Sequence, residues 1–202
     1  MNWFQQHFRI IACLAFGYIV GWGLSYLIPQ PAISTLCHQI LHLPGPGVGI
    51  ALIYGPLIIS ALLLGRNILQ SNLGTVLTAG GLAIFSVVSN GKMPPAVGAQ
   101  VILTVLATLT LGAFLELLIL LFWRFKAAER FAAMFANLFY ICCYWVFIFP
   151  HTKGIPNILG VIEIGAIAIL CGILITPLIT QATRRFLKIK AIPERRHINQ
   201  ER

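Results

Sequence analysis

Leu43-Pro44-Gly45-Pro46-Gly47-Val48-Gly49-Ile50, running on into Tyr54-Gly55-Pro56, is the stretch whose reading sets the fold. Two prolines alternating with glycines end any helix that reaches them, because proline lacks the amide donor and clashes with the turn before it. Behind the stretch stands Cys37-His38-Gln39, with His42 four residues on from His38. Ahead of it an apolar run meets no charge until Arg66. The sequence reads as a stiff, polar-flanked turn at the mouth of a membrane helix.

Composition places that turn in a bilayer. Hydrophobic residues make up 58% of the 202 residues and charged residues 9%, with a mean hydropathy of +0.89. A soluble domain is about 25% charged. A chain of this length has no soluble core large enough to hide so much Leu, Ile, Val and Phe, so lipid is its solvent. The expected fold class is an all-α membrane protein, a single transmembrane domain over 1–202 in the cell membrane. Six candidate spans cover about 8–28, 47–67, 73–90, 98–125, 131–149 and 155–182, followed by a basic tail over 183–202. Each approaches the ~20 residues that cross ~30 Å of hydrocarbon. The third is the shortest, weakened by Gly74, Gly80 and Gly81. The first is too long for a signal peptide and is followed by no small-residue cleavage site, so it is expected to stay as a helix.

The basic residues give an orientation. With the N-terminus in the cytoplasm, Arg9, Arg66, Arg124, Lys126, Arg130 and the seven basic residues of the tail lie inside, against Lys92 and Lys153 outside. That bias predicts both termini in the cytoplasm. The net charge of +9 is then a topology signal with attraction to anionic headgroups. Without a folded basic domain, nucleic-acid binding is not expected.

Three outer loops follow. In the first, a short helix over 32–43 would set His38 and His42 on one face at the i, i+4 spacing that lets two imidazoles reach one ion. The plainer reading is an interfacial amphipathic segment with hydrogen-bonding histidines, and no metal is expected. The other two loops, 89–95 and 150–157, are rich in Pro and Gly and read as turns.

Acids in apolar runs are informative, because a carboxylate near the bilayer centre costs roughly 2.5–3.5 kcal/mol on insertion scales. The chain holds five acids, all Glu, of which Glu116 and Glu163 fall inside spans. Glu116 is expected to pair with Arg66, Arg124 or Lys126. Glu163 stands two turns below the outer end of the sixth span, where with Asn157 it would line one side of a pocket. Tyr144 and Trp145, at the outer end of the fifth span, would stack on a planar ligand. Ala12, Ala15, Gly17 and Gly21 form a strip of small residues on the first span, open to close approach by an internal helix or by another protein. The five cysteines suggest no disulfide framework; in spans they act as small apolar residues.

On these residues the chain resembles the substrate-binding S components of energy-coupling factor vitamin transporters. The likeness lies in six helices with both ends inside and the small-residue strip. It extends to Leu43-Pro44-Gly45-Pro46-Gly47 leading into Ile53-Tyr54-Gly55-Pro56-Leu57, to Leu64-Gly65-Arg66 followed by Gly74, and to Gly112-x3-Glu116. The polar first loop with Cys37, His38 and His42 departs from it. The resemblance implies capture of a small vitamin or precursor from outside. Glu163, Asn157, Trp145, Tyr144 and His38 would contact that solute. Ala12, Ala15, Gly17 and Gly21 would dock onto a transmembrane coupling protein driven by cytosolic ATPases. The chain itself has no Gly-x4-Gly-Lys-Ser/Thr phosphate loop, so no enzymatic activity is expected. The rival readings are an intramembrane metal-dependent or lipid-modifying enzyme using His38, His42 and Glu163, and a small structural membrane protein. Against the enzyme stand the absent His-Glu-x2-His and Gly-x-Ser-x-Gly motifs.

Overall fold

A computed structural model describes residues 3–43, 47–71, 73–93, 101–125, 127–148 and 158–187. Pro44-Gly45-Pro46 of the opening stretch, Pro94 and Pro95 of the second outer loop, the third outer loop with Asn157, Lys126 and the tail beyond Leu187 lie outside the described residues. Among the described residues there is no strand. The helices are α1 (Trp3–Tyr26), the short α2 (Gln30–Ser34), α3 (Gly55–Leu69), α4 (Gly74–Val88), α5 (Val101–Leu121), α6 (Ala128–Cys143) and α7 (Ile158–Phe186). The six long ones fall on the six apolar segments expected from sequence. Among the described residues four helical segments are long and apolar enough to cross a membrane: Gln5–Tyr26, Ile50–Leu69, Val101–Leu121 and Ile158–Phe186. At 15 residues, about 22 Å of rise, α4 is a shorter apolar helix.

Proline and glycine set the boundaries. α1 closes just before Pro29 and Pro31. Pro31 and Pro56 each stand in the first turn of a helix, where the missing amide costs nothing. α3 stops at Gln70, whose φ of 53° is left-handed and turns the chain into α4. That turn is tight because a side chain at Gly74 would run into the Arg66 backbone.

α3 is the centre of the bundle. It packs against α1, α4, α6 and α7, while α5 closes the ring between α4 and α6. Of its most apolar window 72% is buried, against 22% for α1 and 28% for α7, whose remaining faces are free to meet lipid. Contacts fix the directions. Gly17 meets Thr78 and Gly21 meets Phe85, so α1 and α4 run parallel. Cys13 Sγ donates to Gly65 O and Tyr54 Oη to Ile28 O, so α1 and α3 run antiparallel. Thr75 bonds Glu116 and Gly112 packs on Ala79, which sets α5 against α4. Ring contacts Phe114–Phe139 and Phe122–Phe131 set α6 against α5. Asn137 reaches Ala168 O and Gly172 meets Met134, so α7 returns along α6. The helices alternate up and down, and the start of α1 and the end of α7 share one end.

The two ends differ. Arg9, Arg66, Arg124, Arg130, Arg184 and Arg185 gather at the end that holds both helix termini, and among the described basic residues only Lys92 lies at the other. The first is called here the basic end and the second the cap end.

Candidate functional site

At the cap end the chain leaves α1 and folds back over the bundle. Residues 30–40 form α2 and a π-helical continuation, Thr35–Ile40. Ile33 and Cys37 face inward: a side chain at Gly49 would meet Ile33 Cγ2 at 2.7 Å and Cys37 Sγ at 3.8 Å. Cys37 is fully buried, and burial pushes its thiol above the ordinary value. His38, Gln39 and Ile40 face outward. The segment is pinned by Leu43 N donating to Cys37 O at 2.9 Å, while His38 Nδ1 lies 3.0 Å from Leu43 O.

Beneath this cap the chain re-enters through Gly47, whose φ of +95° is a conformation that glycine adopts without strain. Its missing side chain makes room for the aromatic pair. A Cβ there would stand 3.1 Å from the Tyr144 ring and 3.7 Å from Trp145 Nε1. Gly47 O accepts from the amides of Ile50 and Ala51 and so opens the second π-helical segment, Ile50–Tyr54. Tyr144 and Trp145 open the third, Tyr144–Ile148. Tyr54, 1% exposed, donates from Oη to Ile28 O at 2.7 Å and ties the start of α3 to the end of α1. Asn137 forms the floor. Its amide donates to Ala51 O at 3.0 Å and Ala168 O at 2.8 Å, joining the π-turn of α3 to α6 and α7. Three π-helical segments thus meet at one end around Cys37, Gly47, Tyr54, Tyr144 and Trp145. Such geometry occurs in well under 1% of residues of globular proteins and gathers at functional sites.

The structure brings His38, Tyr144 and Trp145 to one end. Glu163 shares that end, half-buried and level with Cys142 by the α6–α7 register, and it makes no ion pair among the described residues. The shared imidazole face is corrected. His42 lies beyond the helix with φ of 51°, and its Nδ1 is 3.1 Å from Ile40 O, so the two rings are not on one helical face. Among the described residues no three His, Cys, Asp or Glu side chains come together. All five cysteines are free.

Of the two expectations for the small-residue strip, the internal helix is the one seen at Gly17 and Gly21. A side chain at Gly17 would run into the Thr78 carbonyl, and one at Gly21 into Phe85, so α4 of the same chain occupies both positions. Only Ala12, half-buried, and Ala15, exposed, keep an outward face. Sequence reasoning passed over Asn137 and the Tyr54 hydroxyl. A lone amide in the apolar run 131–149 was the available signal for Asn137.

The basic end is held differently. Glu116 accepts from Thr75 Oγ1 at 2.7 Å and pairs with Arg66 Nε at 3.3 Å, as its place in an apolar run required. Arg9 Nη1 donates to Gln70 Oε1 at 3.0 Å. Compared with known proteins, the chain matches no family model, no curated protein and no solved structure.

Proposed function

We propose that the chain is a six-span protein of the cell membrane with both termini in the cytoplasm, and that its cap end captures a small solute from outside. The observation that carries this reading is the convergence of three π-helical segments on Tyr54, Tyr144 and Trp145 beneath a folded-back cap. The gathering of arginines at the opposite end supports the orientation. Tyr144 and Trp145 suit a planar, partly apolar solute. Glu163, with Asn157, would supply polar contacts from α7, and His38 would act at the rim.

In role, the protein would be the solute-binding S component of an energy-coupling factor transporter. It would deliver a vitamin or vitamin precursor to a transmembrane coupling protein powered by cytosolic ATPases. Docking would then use the outward face of α1 around Ala12 and Ala15. Alternating helices, termini at one end and a stiff cap over the other support that role.

Native mass spectrometry of the full chain, purified in detergent from its own host, tests the reading, with elemental analysis on the same sample. A retained organic molecule of vitamin size is expected, lost in Trp145→Ala and weakened in Glu163→Gln. A transition metal lost in His38→Ala would contradict it. So would a protein that retains nothing and gains no thermal stability from any member of a vitamin panel.

A further inference from the structure

The basic end holds a second site, distinct from the capped one. α3, α6 and α7 line a half-open cavity of about 390 Å³, with Leu63, Glu129, Arg130, Pro177, Thr180 and Arg184 among its walls. Its chemistry is cationic. Arg184 Nη2 pairs with Glu129 Oε1 at 2.9 Å, which leaves the charge of Arg130 in excess. Arg184 Nε is buried and has no hydrogen-bond acceptor. Arg130 is exposed at the cavity rim and forms no ion pair among the described residues. The cavity also takes in the first turn of α6, where Ala127 offers no side-chain cap and the helix dipole adds positive potential. Pro177, inside α7, removes one backbone donor from the helix that forms the opposite wall.

We infer that this cavity binds a phosphate group, held between Arg130 and the free Nε of Arg184. Guanidinium is the side chain best matched to phosphate oxygens, and a donor buried without an acceptor loses more than a bond formed in water would return. Arg9, Arg66, Arg124 and Arg185 share this end, so the cavity stands at the level of lipid headgroups on the membrane face proposed as cytoplasmic. An anionic phospholipid entering from the side and a soluble phosphate entering from the cytosol would present the same group.

The experiment uses the full chain in nanodiscs of phosphatidylcholine doped with phosphatidylglycerol, followed by native mass spectrometry of the released protein. The wild type is expected to retain phosphatidylglycerol over phosphatidylcholine. Arg130→Gln, a change at an exposed position, is expected to lower that preference roughly tenfold, about the factor for one hydrogen bond to a charged group. Arg124→Gln, outside the cavity, is expected to leave it unchanged. Retention that resists 10 mM inorganic phosphate (about that concentration, chosen to exceed weak phosphate binding) assigns the site to lipid. Displacement by phosphate assigns it to a soluble ligand. Equal retention of both lipids with no thermal shift in phosphate overturns the inference, as does an equal loss in Arg124→Gln and Arg130→Gln. None of these outcomes depends on the capped site.

Discussion

The cap end and the basic end use the same bundle in opposite ways. At the basic end two arginines are paired with carboxylates at short range, Arg66 with Glu116 and Arg184 with Glu129, and Arg9 donates to the neutral amide of Gln70. At the cap end charge is sparse, and three helical segments depart from α-geometry around buried aromatics. A π-turn is a less favourable repeat than an α-turn and persists where packing holds it. The basic end is held by ion pairs between helices. The cap end is held by buried side chains and by the Asn137 and Tyr54 hydrogen bonds.

The first way to break this contrast is at the basic end. Glu116→Ala removes the carboxylate that pairs with Arg66 and accepts from Thr75. A loss of about 3–5 kcal/mol is expected, as for other buried pairs deprived of one partner, and it should appear as a fall in thermal midpoint in detergent. Arg66→Met with Glu116→Leu in one protein should recover most of it. A single substitution without effect would show that the pair does not hold the basic end.

At the cap end, Asn137→Leu removes both amide bonds to Ala51 O and Ala168 O. About 1–3 kcal/mol is expected, and hydrogen exchange should rise first in 50–54, ahead of 104–119. Gly47→Ala forces a side chain into a left-handed conformation beside the Tyr144 ring, at about 1–3 kcal/mol. Its signature is local: a cap that opens more often over a bundle whose thermal midpoint moves little. The smallest effect is expected for Glu129→Gln. The pair it breaks is partly exposed and contributes under about 1 kcal/mol, so only a fine comparison of midpoints with and without salt would resolve it.

Much of the fold was legible because the bilayer leaves few choices. Six apolar runs bounded by prolines, glycines and charges read as helices, and each long helix overlaps its run, although α3 and α6 each give up one end of theirs to a π-helical segment. Glu116 was legible for a related reason: a carboxylate among Leu and Ile must find a cation, and Arg66 stands near the matching end of α3. The small residues of α1 announced a close contact but not with whom, because a strip that admits α4 is the same strip that would admit another protein. The cap end was the least legible. Its π-turns are too short to leave a periodic trace, and the i, i+4 reading of His38 and His42 assumes an α-helix that a π-segment and a left-handed residue replace. Asn137 was hidden by its surroundings, since one amide in a run of Phe, Tyr and Ile points to no particular partner.

The proposal that the cap end faces outside and opens there is tested most directly at Cys37. It is fully buried on the inner side of the cap, whereas Cys142 is exposed on the bundle surface. Intact cells expressing the protein are treated with a membrane-impermeant maleimide, and the labelled peptide is identified by mass spectrometry. Because the thiolate is the reactive form, a thiol raised by burial reacts slowly at neutral pH and faster as pH increases. Cys37 in the wild type should label from outside slowly, with a pH dependence displaced to the alkaline side of a free thiol. Trp145→Ala should accelerate labelling roughly tenfold, about 1.4 kcal/mol of lost closure, and return the pH dependence toward the ordinary one. Labelling of the wild type at the rate of a free thiol, or only after the membrane is permeabilised, would contradict the account.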